Sequence, residues 1–328
     1  MLTAQSATPS TFLSPFIQQY VQRKTAANEA EIIEPVLPRA GAMLEFQFGS
    51  VYDVKALGTG RLRPSWAATV IGPIDAHRVR LILRDHVQSM VVLFRPLGLY
   101  RLFRIPLSPL TGAGTEGHAV LGPQVSSLYQ RLGNAESFGD RVRLLDSFFL
   151  HRLQRVQSLD PTARAMHRLA SGGCNVGDAA RMIGISERQF GRRSLEWAGV
   201  SPKALARVSR FQRAIGEYRS SQSSWLDIAH KVGYYDQMHL VRDFHDLGGG
   251  PPTQVLKKIS EEHLISFCCG RSPGAANLFG VAGGAPPSSN TGKPPMRSPS
   301  QMSPDKSAHR YSTSTGGNGV YQEQSSCV

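Results

Sequence analysis

The chain repeats one short pattern, at residues 180–185 (ARMIGI) and again at residues 229–234 (AHKVGY). Each copy reads alanine, two variable positions, an aliphatic residue, glycine and an apolar residue. The small alanine lets two helices pack closely, and glycine adopts the positive φ that ends a helix. Each copy therefore predicts two helices joined by a tight turn, the helix-turn-helix that lays its second helix in a DNA major groove. A single copy is common in helix pairs, but two copies in one basic segment favour DNA binding.

Residues typical of helix starts stand where this interpretation needs them. Ser186 and Gln189 have the spacing of a capping box at the start of a second helix. Ser201 and Pro202 open a long helix that runs towards Tyr218 and joins the two units. The predicted N-caps are Asn175, Ser186, Ser201, Ser224 and Asp236.

A resemblance to a known family rests mainly on residues 228–244 (IAHKVGYYDQMHLVRDF) and Pro252. The family pattern reads I-A-x-x-x-G-[FY]-x-[DS]-x-S-[HY]-F-x-R-x-F and ends at a proline. The segment 160–260 is thereby similar to the DNA-binding domain of AraC/XylS-type transcriptional regulators. Tyr235 and Met238 stand where small residues are usual in that family. The resemblance implies a sequence-specific transcriptional regulator with an N-terminal domain that senses an effector or dimerises.

Seven polar residues early on the two predicted second helices are the candidate DNA contacts. An arginine can bind guanine through two hydrogen bonds, and a glutamine can bind adenine in the same way. The alternative is that these side chains form an ordinary solvated helix face. The candidates are Arg188, Gln189, Arg192 and Arg193 in the first unit and Gln237, His239 and Arg242 in the second, with Lys203 and Arg207 as further candidates for phosphate contacts.

The charge balance also favours a polyanionic partner. The chain has 328 residues and a formal net charge of +13. Residues 161–260 hold much of that excess, with 15 Lys and Arg against 8 Asp and Glu. No apolar run reaches the ~20 residues that span a bilayer, and the first residues lack the features of a secretory signal. We therefore expect double-stranded DNA, and not a membrane, as the partner.

The sequence carries no recognised catalytic or metal-binding signature. None of the ten histidines forms an H-x-H or H-x-x-x-H pair, and the hydrolase, P-loop and zinc-protease motifs are lacking. We expect no cofactor, no metal and no enzymatic activity. The cysteines lack the spacing of a zinc site or a disulfide framework, so we expect free thiols and a cytoplasmic location. They are Cys174, Cys268, Cys269 and Cys327.

The pattern of apolar residues divides the chain into regions, and the predicted fold is α+β. Apolar and polar residues alternate through residues 44–48 and 79–83, as in strands with one face exposed. The first predicted domain (1–157) serves sensing or dimerisation and consists of a loosely helical lead-in (1–33), a β-rich part (34–110) and a helical part (122–157). The second (160–260) is an all-α domain of two helix-turn-helix units joined by a long helix. A disordered tail rich in Gly, Pro and Ser (271–328) follows.

Two features of the N-terminal domain each have two interpretations. Four aromatic residues on the strands are candidates to line a ligand pocket, although such residues form core more often. An apolar stripe in the helical part either mediates self-association or packs on the β-rich part of the same chain. The aromatic residues are Phe46, Phe48, Trp66 and Phe94, and the stripe consists of Leu145, Phe149, Leu153 and Val156.

Other functions remain to be weighed against transcriptional regulation. An architectural DNA-binding protein would carry the same two units without effector control. A DNA-repair enzyme would pair such a domain with a four-cysteine zinc and methyl-acceptor module, but no cysteine precedes Cys174. A regulator is the leading hypothesis, with RNA polymerase, a small-molecule effector and a second copy of the chain as candidate partners beside DNA.

Overall fold

Two antiparallel sheets form most of the N-terminal half of the described chain. The computed structural model describes residues 2–25, 31–156, 160–221 and 223–257. The predicted tail (271–328) and the end of the segment 160–260 lie outside the described residues. The strands are β1 (Thr3–Ala7), β2 (Ile17–Lys24), β3 (Ile32–Pro35), β4 (Met43–Gln47), β5 (Asp53–Ala56), β6 (Leu62–Pro64), β7 (Ala68–Ile71), β8 (Val79–Leu83), β9 (Gln88–Phe94) and β10 (Gly114–Glu116).

The larger sheet has six strands in the order β1-β2-β9-β4-β7-β10, and the smaller has four in the order β3-β8-β5-β6. In β2, every residue except Lys24 is buried, and the strand pairs with both β1 and β9. The prediction of a helical lead-in over residues 1–33 is therefore wrong. The apolar residues Ile17, Tyr20 and Val21 happen to have helical spacing, and the polar residues between them are buried too, so the strand shows no alternation of buried apolar and exposed polar residues.

The alternation predicted around residues 44–48 is present in β4, but its polar residues do not face water. Leu44 and Phe46 are fully buried on one face, and Glu45 and Gln47 are also buried. Glu45 lies against a cavity whose walls come from both sheets. The smaller sheet therefore covers the face of β4 that the sequence predicted to be exposed.

The α-helices among the described residues of the N-terminal half are α1 (Gly98–Phe103), α2 (Gly117–Leu121), α3 (Gln124–Gly133) and α4 (Phe138–Leu153). The last two lie within the stretch 122–157 that was predicted to be helical. Leu145 and Phe149 of α4 are fully buried, and the Phe149 ring packs edge-on against Phe94 with centroids 5.7 Å apart. The centre of the apolar stripe thus packs inside its own chain, which is the second of its two interpretations.

The C-terminal half is helical, with α5 (Pro161–Ala170), α6 (Val176–Arg181), α7 (Glu187–Ala198), α8 (Pro202–Ser220), α9 (Trp225–Val232), α10 (Gln237–Gly248) and α11 (Pro252–Lys257). All five predicted N-caps are confirmed, because each side chain accepts a hydrogen bond from the backbone N–H three residues later. The predicted α+β fold, with a β-rich N-terminal part and two helix-turn-helix units joined by the long helix α8, is confirmed as well.

The sheets and the C-terminal helices share one apolar core. Tyr100 of α1 stacks on Trp197 of α7 with ring centroids 4.9 Å apart. The N–H of Leu107 donates to the carbonyl of Glu196 at 2.8 Å. Residues that follow β9 therefore hold the C-terminal end of α7 directly.

Candidate nucleic-acid interface

Both copies of the repeated pattern form the same turn. Gly184 and Gly233 have φ values of +69° and +87°. In each copy the N–H of the residue after glycine donates to the carbonyl of the alanine that opens the pattern, from Ile185 at 3.2 Å and from Tyr234 at 2.8 Å. This bond closes the end of the first helix and satisfies a carbonyl that has no partner within the helix. The turn thus requires the glycine for its positive φ, whereas the alanines, Ala180 and Ala229, are small residues buried in the core.

The second helix of the first unit, α7, is the first candidate recognition helix, and it presents two unpaired arginines. Arg188 and Arg192 are exposed and lie four residues apart, so they share one helix face. Within the described part of the chain, neither makes a hydrogen bond or an ion pair. Their guanidinium groups are therefore available to an acceptor outside the protein.

The other two candidates on α7 have internal partners. The Gln189 side-chain oxygen accepts from the backbone N–H of Ser186 at 3.0 Å and completes the predicted capping box. Arg193 is half-buried and donates from Nη1 to the Thr162 hydroxyl at the start of α5, at 2.7 Å. Gln189 keeps its amide N–H groups for a base, whereas Arg193 ties α7 to α5.

The second recognition helix, α10, exposes Gln237 and Arg242 and partly buries His239. The His239 backbone N–H donates to the capping Asp236 at 2.7 Å. Its ring lies edge-on to Tyr234, with centroids 5.3 Å apart. Gln237 and Arg242 have no hydrogen bond or ion pair with other described residues, so the structure separates two available side chains from one that packs.

Two large apolar side chains lie beside these residues and were not predicted as contacts. Tyr235 is 89% exposed and Met238 is 61% exposed. Met238 lies four residues before Arg242, so the two share a face of α10. Apolar side chains on such a face can contact the methyl group of thymine. The signal in the sequence that could have found them was their departure from the family pattern.

The long helix α8 carries arginines that bind the second unit. Arg207 donates from Nε to Asp243 at 2.6 Å and also pairs with Asp246. The guanidinium of Arg210 lies 4.5 Å from the centre of the Tyr234 ring. Burial and the neighbouring Asp243 raise the pKa of the Tyr234 hydroxyl, so this phenol remains protonated. Arg207, a candidate for phosphate contact, is thus an internal ion-pair partner.

A cavity of about 100 Å³ lies between the two sheets. Its wall includes a buried group of three polar residues, in which Arg23 pairs with Glu45 and the Tyr52 hydroxyl donates to Glu45 at 2.6 Å. Burial lowers the pKa of Arg23, but Glu45, Tyr52 and Glu34 together outweigh it, so the net pKa is raised. Burial and then Glu45 raise the pKa of Tyr52. The three groups therefore keep an ion pair and a phenol donor inside an otherwise largely apolar site.

The aromatic residues predicted to line a ligand pocket divide between the cavity and the core. Trp66 lines the cavity. Phe46 and Phe94 are fully buried in the main core. The ring of Phe48 stacks on Tyr129 with centroids 5.7 Å apart. Only the first of these placements suits a ligand contact.

Two protein families match parts of the chain. Residues 5–116 match a domain of unknown function (DUF6597), and residues 179–258 match a helix-turn-helix domain. The second match includes both glycine turns and both recognition helices. The chain carries an AraC-type DNA-binding helix-turn-helix domain. No curated protein matches this chain.

Some solved structures have a distant likeness to this chain. ToxT from Vibrio cholerae, in a P21 crystal form, is 10% identical with a TM-score of 0.44, covering 79% of this chain and 99% of that chain. Unsaturated fatty acid bound wild-type ToxT from strain SCE256 is 10% identical with a TM-score of 0.45, covering 74% and 96%. A cupin 2 conserved barrel domain protein from Salinispora arenicola is 15% identical with a TM-score of 0.23, covering 30% and 81%. Likenesses this weak add no argument about function.

Among the residues that the structure describes, none of the helices combines the length and the apolar composition that crossing a membrane requires. The same residues include no cluster of three His, Cys, Asp or Glu side chains that could hold a metal ion. Cys174 is a free thiol, and the other three cysteines lie outside the described residues.

Proposed function

We propose that this protein is a sequence-specific transcriptional regulator that responds to a small effector, with α7 and α10 entering neighbouring stretches of major groove. The observation that carries the proposal is the contrast among its arginines. Arg188 and Arg192 are exposed, and no other described residue pairs with them. Arg193 and Arg207 are bound internally. An arginine without an internal partner keeps all its donors for bases and phosphates.

The cavity between the sheets is the proposed effector site, because its walls continue into contacts with the C-terminal helices. Residues 112–114 line the cavity. The preceding residue, Thr111, donates from its hydroxyl to the carbonyl of Gly199 at the end of α7, at 2.6 Å. A ligand that displaces this wall would therefore act on the first recognition helix.

A second wall of the cavity leads to the long helix α8. Arg39 lines the cavity. The next residue, Ala40, donates its backbone N–H to the side-chain oxygen of Gln212 of α8 at 2.9 Å. Each contact is made by a residue directly next in sequence to a cavity-lining residue, so the proposal couples occupancy of the site to the placement of the DNA-binding helices.

The remaining parts of the proposal follow from this role. It assigns the protein no catalytic activity and places it in the cytoplasm, with RNA polymerase and a second copy of the chain as proposed partners. In this proposal, residues 1–157 form the sensing domain and residues 160–260 form the DNA-binding domain, although the two domains share an apolar core.

Selection of bound duplexes from a random DNA library, with the full-length chain, tests the proposed DNA reading. We expect one enriched motif. The double variant Arg188→Ala/Arg192→Ala should lose the part of the motif that the first unit reads, since its exposed guanidinium groups are gone. Arg164→Ala removes an exposed charge from α5 and should retain the motif. A wild-type chain that enriches no motif contradicts the proposal.

A thermal melting screen of the full-length protein against small molecules separates the regulator from an architectural protein. A ligand that binds only the folded state stabilises it by about 2.7 kcal/mol at a concentration of ~100 times Kd. We expect a molecule that raises Tm and also changes the affinity for the selected duplex. A molecule that raises Tm without any change in DNA affinity would favour the architectural alternative.

A further inference from the structure

Arg213 of α8 lies between the end of α5, which packs on the first helix-turn-helix unit, and the end of α9, the first helix of the second unit. Its Nη1 donates to the carbonyl of Ala170, the last residue of α5. Its Nη2 donates to the carbonyl of Val232, the last residue of α9, at 3.2 Å. Since α5 packs with α6 and α7, one guanidinium joins the first unit to the second.

Both acceptors suit a guanidinium group. The last carbonyls of an α-helix have no donor within the helix and lie at the negative end of its dipole. Arginine presents its N–H donors in a fixed planar arrangement, so two acceptors on one guanidinium are held at a defined separation. Arg213 therefore fixes the end of α5 relative to the end of α9.

The turn after α5 leaves room for this guanidinium. Gly172 has a φ of +83°, and a Cβ at that position would come within 2.8 Å of Arg213 Nη2. A side chain there would need the guanidinium to move. The glycine and the arginine are thus parts of one arrangement, in which the chain makes space between the two units for a single side chain.

Each end of the bridge leads to a recognition helix. At the start of α5, the Thr162 hydroxyl accepts from Arg193 of α7 at 2.7 Å. At the other end, Val232 directly precedes Gly233, whose turn leads into α10. A displacement of Arg213 would therefore be transmitted to α7 through α5 and to α10 through α9.

We propose that Arg213 is a positioning residue that sets the spacing between the two recognition helices, and thereby the spacing of the two half-sites that the DNA must offer. The inference rests on the proposed function, since it requires both units to read DNA at the same time. Arg213 acts through the helices that it joins, so its loss should affect the tolerated spacing more than the preferred bases.

Binding of the full-length chain to the selected duplex, with and without one base pair inserted between the half-sites, tests this role. The insertion moves one half-site by about 3.4 Å and rotates it by roughly 35°. The wild-type chain should lose affinity by about 10- to 100-fold, the cost of misplaced base contacts. In Arg213→Ala the penalty should fall to about threefold or less, because a loosened link lets both units engage either spacing.

Two further variants make the test decisive. Arg219→Ala removes an exposed arginine from the end of α8 that pairs with no other described residue, and it should keep the wild-type penalty. Arg213→Lys keeps the charge but lacks the two-donor fork, so this variant should tolerate the insertion as Arg213→Ala does. If Arg213→Ala no longer melts cooperatively, the lysine variant takes its place in the test. A wild-type chain with no preferred duplex contradicts the proposed function. A wild-type chain that is strict in spacing, with both Arg213 variants equally strict, overturns the positioning role.

Discussion

Replacing Gly184 or Gly233 by alanine will destabilise the helix-turn-helix unit that contains it. Both glycines have positive φ, and a Cβ at either position would meet nothing within 4 Å. The cost is therefore that of the left-handed backbone alone, about 1–2 kcal/mol for an L-residue. Alanine also restricts the unfolded chain and returns about 0.4–1 kcal/mol. We expect a net loss of about 1 kcal/mol, measured as a lower midpoint of urea unfolding with an unchanged slope.

The same substitution at two other glycines provides a matched control. Gly191 lies inside α7 and Gly216 inside α8, and a Cβ at either would again meet nothing within 4 Å. Because alanine is favoured over glycine in a helix interior, these variants should gain up to about 1 kcal/mol. Four alanine variants that all shift the midpoint in the same direction would refute the assignment of Gly184 and Gly233 to the two turns.

Three further predictions concern the DNA contacts, the buried polar group and the charge. Arg192→Ala should cost about 1–3 kcal/mol on the selected duplex and leave unfolding within ~0.5 kcal/mol; an equal loss on random duplex would identify a phosphate contact. Tyr52→Phe leaves a buried Glu45 oxygen without its donor and should lower the free energy of unfolding by about 1–3 kcal/mol; an unchanged urea midpoint would contradict this. Binding of the full chain should weaken ~10³–10⁵-fold between ~50 and ~200 mM salt if ~6–10 phosphates are neutralised, and a salt-independent affinity would exclude that contact set.

The helices of the C-terminal half could be predicted because their signals are local. A cap such as Ser224 acts on a backbone group three residues away, and Gly233 controls only its own φ. These effects operate within one turn of the chain, so the sequence alone contains them. The same holds for the repeated turn, in which the residue after the glycine donates to the alanine carbonyl five residues earlier.

The sheets could be predicted less well because their signals depend on distant segments. Strand β2 was assigned to a helical lead-in, since a strand covered on both faces loses its alternation. Glu45 was predicted only as a polar position in an alternating strand, yet it pairs with Arg23 beneath the smaller sheet. No spacing in the sequence indicates that two residues this far apart will share a buried site.

At the candidate DNA-binding site, too, contacts with distant segments could not be predicted from the sequence. Arg192 and Arg193 are neighbours on α7 and look equivalent in the sequence. Only Arg193 meets a partner, and that partner, Thr162, lies on α5. Which arginine is available to DNA is therefore decided by helix packing, which the pattern of the recognition helix does not record.

Methylation interference on the selected duplex tests the central claim most directly, because guanine N7 lies in the major groove. The measurement uses the full-length chain and maps the guanines whose methylation blocks binding. Two recognition helices on one rigid segment predict two clusters of such guanines about one helical turn, ~10–10.5 base pairs, apart on one face of the duplex. A single cluster, or interference confined to adenine N3 in the minor groove, would contradict the account.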